Sequence, residues 1–193
     1  MSRRHPGPDL DHLTEAQARV HDAIKNGPRG NVIGPLRVWL TNPEMAEKAQ
    51  ALGQYARYDS SLPPILSELV ILVTGRYWSS GFEWAQHAPI ALEAGLDPAI
   101  VAAIGQGRRP EFTDETQRLV FDFAAELHRD KVVSDATYGQ VVEAMGVDAA
   151  VDIVAICGYY TLISMTINAF DIPVGDGASL PLIDTAPAEM FRR

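Results

Sequence analysis

The sequence predicts an all-α bundle folded as a single domain of about eight helices. Three observations carry this. Apolar residues recur three and four apart along most of the chain, Pro and Gly punctuation falls at the ends of those stretches, and no pair of alternating segments joined by a tight turn reads as a hairpin. With 193 residues, 47% of them hydrophobic, folding would remove roughly 70% of the unfolded surface from water, so neither a disulfide nor a structural metal is needed. Cys157 is the single cysteine, which leaves no internal disulfide and none of the paired spacings of a zinc or dithiol centre.

Residues 1–33 read as a lead-in around one short helix, with Asp11 as its cap, Leu13, Val20 and Ile24 at helical spacing, and Asn26-Gly27-Pro28 as its stop. Asn31 to Leu40 is apolar but contains Gly34-Pro35, and reads as an extended or turn segment. Asn42 then caps a helix that Pro43 opens, with Met45, Ala49, Leu52 and Tyr55 on one stripe. After Pro63-Pro64 comes Ile65 to about Tyr77. Its run Leu69-Val-Ile-Leu-Val fits a buried strand by periodicity, but a length of about thirteen residues decides for helix.

Ser79-Ser80-Gly81 breaks the chain before a helix from Phe82 to Glu93 closed by Gly95. Asp97-Pro98 starts a short one through Ile104, ended by Gly105 and Gly107. Thr113 or Asp114 caps a strongly periodic helix carrying Leu119, Val120, Phe123, Ala124 and Leu127. Ser134 caps the next, which stops at Gly146, and Asp148 begins a long apolar helix ending near Phe170. Residues 34–173 thus form the helical domain, and 174–193 a polar tail.

The 16 Lys and Arg against 25 Asp and Glu give a net charge of −9, and Arg192 and Arg193 are the only cations after Lys131. Without a basic stripe, counterion release cannot drive nucleic-acid binding, and no such partner is expected. The N-terminal arginines precede no apolar h-region, so a cytoplasmic location is expected. Val151 to Phe170 is long enough to span a bilayer but contains Asp152, Ser164, Thr166 and Asn168 and lacks a basic flank. It reads as a helix buried by its own domain or by another subunit rather than as a membrane span.

Reactive side chains are dense in one place only, Tyr77 to His87, with Glu68 one helix earlier. Glu83 and His87 are four apart and share a helix face. Glu68 is a lone carboxylate in an apolar run, so burial would require a partner or a raised pKa. A carboxylate beside an imidazole in a partly dry pocket can exchange protons near neutral pH. The competing explanation is local: Ser80-Gly-Phe-Glu83 fits a capping box, and an i,i+4 Glu–His pair is ordinary helix decoration. Pro89, two residues after His87, removes a hydrogen bond to the Ala85 carbonyl. Ser80, Tyr77 and Trp84 are candidate pocket residues, while Trp39, Trp78, Tyr159 and Tyr160 fit either core or pocket. Asn168 must find polar partners, at a helix end or in the pocket. His128, in a last helical turn, reads as a structural complement to the helix dipole. Glu68, Glu83 and His87 could together make at most a weak metal site, and no metal is assigned.

Glu68, Ser80, Glu83 and His87 at spacings of twelve, three and four, followed by Ala88-Pro89-Ile90-Ala91 and Ala94-Gly95-Leu96, resemble the carboxymuconolactone decarboxylase family, whose superfamily includes the AhpD-type alkylhydroperoxidases. The resemblance extends from about Gly34 to Pro173, through Ser61-Leu-Pro-Pro, Gly107-Arg-Arg-Pro, Val133 to Tyr138, and Gly158-Tyr-Tyr-Thr. It implies an AhpD-like helical bundle assembled as a homo-oligomer, a trimer or hexamer. In the peroxidase branch two cysteines occupy the places that here hold Ser80 and Glu83, so dithiol peroxidase activity is not expected.

The decarboxylase branch resembles the retained Glu83-x-x-x-His87, and implies a cofactor-independent lyase or proton-transfer enzyme acting on a small ring-derived organic acid or lactone, in the catabolism of aromatic compounds. On that basis Glu68, Glu83 and His87 are the catalytic candidates, and Tyr77, Ser80, Trp84, Arg76 and Asn168 the substrate-binding ones. Ala85 stands where the decarboxylase carries an arginine, so Arg76, Arg37 or Arg57 would have to hold a substrate carboxylate. The alternatives are a thiol-independent hydroperoxidase or isomerase at the same cleft, or a non-catalytic homo-oligomeric ligand-binding protein.

Overall fold

In the computed structural model, which describes residues 2–175, 178, 182 and 188–191, Pro64–Tyr77 (α4) is the central element. Seven further α-helices accompany it: α1 Glu15–Asn26, α2 Pro35–Trp39, α3 Pro43–Gln54, α5 Gly81–Glu93, α6 Pro98–Gly105, α7 Glu115–Asp130 and α8 Asp135–Phe170. Everything from Leu66 to Arg76 of α4 is buried, because α5, α7 and α8 pack around it on three sides. No strand occurs among the described residues. The architecture is all-α.

Capping chemistry sets most helix starts, in one case at a different residue from the expected one. Thr14, not Asp11, caps α1: its hydroxyl accepts from Gln17 N while the Gln17 side chain accepts from Thr14 N. Asp11 lies inside a preceding 3-10 turn that Asp9 caps. Asn42 caps α3, Asp97 caps α6 and Ser134 caps α8, and Asp114 rather than Thr113 caps α7. The Gly34-Pro35 break opens the short helix α2 instead of an extended segment. Gly34 adopts φ 56°, a Cβ there would lie 2.6 Å from the Phe82 ring, and Pro35 has its φ preset for a first helical residue.

The buried stripe of α3 is Ala46, Ala49 and Gly53; of the expected Met45, Ala49, Leu52 and Tyr55 only Ala49 is on it, Leu52 and Tyr55 being exposed. Small residues win this face because α8 comes very close: a Cβ on Gly53 would stand 2.1 Å from the Tyr159 ring. α3 then widens into a π turn, Tyr55–Asp59. Asp152 of α8 clasps the chain around that turn, accepting at 2.7 Å from Tyr55 Oη, Ser61 N and Ser61 Oγ.

Gly146 (φ 86°, ψ 168°) breaks the helical backbone at the expected stop, so Asp135–Phe170 is two helical halves meeting at a kink. Past it α8 is buried on most of its circumference and bare along one line, where Val147, Val151, Val154, Leu162 and Met165 are 37% to 60% exposed. Among the described residues no helix is long and apolar enough to cross a membrane. Of the expected tail, residues 188–191 lie on α7, where Met190 N donates to Gly107 O at 2.8 Å and Phe191 packs edge-on to Tyr77. Most of its remainder lies outside the described residues.

Candidate active site

α4 and α5 bring three titratable side chains together inside the bundle. His87 Nδ1 lies 2.7 Å from Glu68 Oε2, and His87 Nε2 lies 2.9 Å from Glu83 Oε1. All three residues are at most 5% exposed. Glu83 does not close a capping box: Ser80 makes no side-chain cap, its hydroxyl is buried without a partner, and Glu83 turns forward to His87 instead. Helix α5 continues through Pro89 to Glu93.

Burial on its own would push the His87 imidazole down. The charges of Glu68 and Glu83, and hydrogen bonds to both, outweigh that and raise its pKa from 6.5 to about 9. At neutral pH His87 is therefore an imidazolium donating both N–H groups, one to each carboxylate. Among the described residues no cluster of His, Cys, Asp and Glu is arranged to hold a metal ion.

The Glu83–His87 edge opens on a cavity of about 320 Å³, walled by Arg29, Arg57, Phe82, Tyr159 and Tyr160 and by α2. Glu68 lies behind His87 and does not line it. The Tyr160 ring stands edge-on to His87, with centroids 5.1 Å apart. A larger groove of about 600 Å³ runs along α7, but its arginines are paired, Arg118 with Glu115 and Asp122, Arg109 with Asp122, and Arg129 with Asp130.

The five residues expected to bind substrate stand away from the cavity wall, for reasons of helix geometry. Tyr77 follows Glu68 by nine residues, half a turn around α4 and about 13 Å along it, where it stacks on His128 at 4.7 Å. Arg76 is buried toward α6, with Nε donating to Gly105 O at 3.2 Å and Nη1 to Ser79 Oγ at 3.2 Å. Trp84 is rotated about 100° from Glu83 and packs against Gly105, where an added Cβ would meet it at 2.8 Å. Ser80 is fully buried at the start of α5. Asn168 donates from Nδ2 to Trp78 O at 2.9 Å, the helix-end role. Arg37 donates to the Pro6 and Pro8 carbonyls, so Arg57 is the one arginine of the three considered that reaches the cavity.

Sequence reasoning missed Arg29, which the Gly27-Pro28-Arg29-Gly30 turn delivers from the lead-in segment; its Nη2 donates to Tyr159 Oη at 3.1 Å. No local signal marks it, because its partner is 130 residues away. His128 is not a dipole-complementing cation. Burial, with the Lys131 charge beside it, holds its pKa down at about 4, and its Nε2 sits 2.9 Å from Thr74 Oγ1. Burial pushes the Cys157 thiol up to about 12, which keeps it protonated and unreactive at neutral pH.

Residues 43–126 match the carboxymuconolactone decarboxylase family. Similar solved structures include an uncharacterized peroxidase-related protein with an alkylhydroperoxidase AhpD core from Ralstonia eutropha JMP134 (TM-score 0.72, 18% identity, 90% of this chain and 92% of that one). A peroxidase-related protein from Silicibacter sp. TM1040 is also similar (TM-score 0.71, 16% identity, 98% and 95%). So is the debrominase Bmp8 in complex with 2,3,4-tribromopyrrole (TM-score 0.70, 14% identity, 91% and 95%). No curated protein matches the chain by sequence.

Proposed function

We propose, on the premise that residues 43–126 belong to the carboxymuconolactone decarboxylase family and sit in an AhpD-like fold, that this protein is a cofactor-independent lyase or proton-transfer enzyme for a small ring-derived organic acid or lactone. The observation that carries this is the buried imidazolium of His87, held between Glu68 and Glu83 with its Glu83 side open to the cavity. A proton donor of raised pKa, shielded from bulk water and bordering a ligand-sized hollow, fits general acid–base work.

In a decarboxylation at this site the bond between the substrate's α-carbon and its carboxylate breaks, and the electron pair passes into the neighbouring carbonyl as an enolate. Carbon dioxide leaves. The α-carbon then takes the proton shared by His87 Nε2 and Glu83, and solvent replaces it. Glu68 does not reach the substrate; it positions the ring and keeps it charged. A dithiol peroxide cycle has no footing here, because Ser80 and Glu83 occupy the two cysteine places and Cys157 is a buried thiol.

The test is incubation with a panel of β-keto acids and ring lactones in deuterated water. Carbon dioxide release with one deuteron incorporated per turnover is the expected result. Deuterium uptake without carbon dioxide reassigns the enzyme to isomerisation. Absence of both across the panel overturns the proposal.

The protein would work in the cytoplasm as a homo-oligomer, a trimer or hexamer, in aromatic-compound breakdown. Support for assembly comes from α8, whose bare line of Val147, Val151, Val154, Gly158, Leu162 and Met165 recurs every three or four residues and so lies along one helix face. The double variant Val151→Glu, Val154→Glu is expected to run as a monomer in light scattering with unchanged helical content. A wild-type chain that is itself monomeric would remove the basis for assembly.

A further inference from the structure

The residues lining the cavity beside His87 carry buried hydrogen-bond donors that no described residue satisfies. Tyr160 lines the cavity with 1% of its surface exposed, and its buried hydroxyl has no partner among the described residues. Arg29 Nε is buried and likewise unpartnered, although the same guanidinium donates from Nη2 to Tyr159. Unpaired buried donors are costly, and each orphan at a cavity marks a place where a ligand atom would repay the loss. Arg57, on the same wall, has its guanidinium over the Tyr58 ring at 5.1 Å. Neither Arg29 nor Arg57 has a carboxylate partner among the described residues, whereas Arg3, Arg19, Arg109, Arg118 and Arg129 do.

The charges lining the cavity, with Glu68 directly behind His87, can be counted. Glu68 and Glu83 against the His87 imidazolium leave one negative charge; Arg29 and Arg57 turn that into one positive charge. Burial keeps the Tyr160 phenol protonated, with its pKa well above 10, so it donates and carries no charge. One anionic group neutralises the site. A second would sit near the buried Glu83 carboxylate with nothing left to balance it. Phe82, Tyr159 and Tyr160 supply flat apolar surface for a ring.

We infer that the cavity is a binding site for a ring-borne monocarboxylate, whose carboxylate is taken by Arg29 together with Arg57 while Tyr160 donates to an oxygen on the ring. This deepens the proposed function, on which it rests for the site's identity, by assigning the substrate's charge class and three receiving residues. Arg29 and Tyr160 both lie outside the family-matching segment 43–126. The segment would therefore supply the proton machinery, while its flanks supply much of the recognition.

The test needs binding alone, so it stands apart from turnover. Benzoate, its neutral analogue benzamide, and the dianion phthalate are titrated calorimetrically against the full-length chain. Benzoate is expected to bind at least about tenfold more tightly than either, the scale of one or two charge-assisted hydrogen bonds. Arg29→Gln should weaken benzoate by about 10- to 100-fold and leave benzamide unchanged. Arg57→Gln, at a half-buried position that folding tolerates better, should lower benzoate affinity in the same direction. Tyr160→Phe should abolish the advantage of salicylate over benzoate. Equal affinity for benzoate and benzamide, no benzoate binding at millimolar concentration, or full affinity in both arginine variants would overturn the inference. Selective benzoate binding by a protein inert toward the whole panel of acids would retain this inference and discard the proposed reaction.

Discussion

Glu68→Gln is expected to lower the stability of the protein at pH 7 by on the order of 3 kcal/mol in urea unfolding, because it leaves a buried imidazolium with one carboxylate instead of two. The pH dependence identifies the cause. His87 has its folded pKa raised to about 9 from 6.5, so its contribution is complete below pH 6.5 and is lost as pH rises through 9. The wild type should lose at most about 3 kcal/mol over that interval. His128 behaves in the opposite sense. Its folded pKa is lowered to about 4, so its contribution is complete above pH 6.5 and is lost as pH falls through 4. These two histidines together place a stability maximum near pH 6.5. Glu68→Gln should flatten the alkaline limb and leave the acid one, whereas His128→Asn should flatten the acid limb alone. An alkaline limb unchanged in Glu68→Gln would show that His87 is not held charged by its neighbours.

Local chemistry made the helices and the reactive triad legible in the sequence. Asn42-Pro43 and Asp97-Pro98 each place a side-chain acceptor ahead of a residue that lacks an N–H, and Glu83 and His87 share a face through spacing alone. Glu68 stood out as an isolated charge in an apolar run, since such a charge must be answered by something across the fold. What failed was the assumption that residues near the triad in sequence are near it in space. Tyr77, Arg76 and Trp84 follow the helical rotation away from the cavity, and Arg29 and Tyr160, far from the triad in sequence, line it instead. The α3 stripe was misplaced for a related reason. Ala46, Ala49 and Gly53 carry little hydrophobic signal, yet their small size is what lets α8 come close enough to set Tyr159 in the wall.

The largest effect on turnover is expected from Glu83→Gln. Glu83 is the one carboxylate of the triad that both hydrogen-bonds His87 and borders the cavity, so a proton passing between ring and substrate has to use it. Removing a positioned acid–base group costs about 10² to 10⁴ in rate, and kcat for whichever acid or lactone the panel identifies should fall by that amount with KM nearly unchanged. His87→Gln should cost as much. The double variant should be scarcely worse than either single one, because the two side chains handle the same proton. Glu68→Gln is expected to differ in kind. It retains a hydrogen-bonding partner for Nδ1 and loses only the charge, so it should shift the alkaline limb of the kcat profile downward from about pH 9 and cost less in maximal rate. A folded Glu83→Gln variant with wild-type kcat would remove Glu83 from the chemistry. If His87→Gln were equally active, the buried triad would be a structural ion cluster beside a binding cavity.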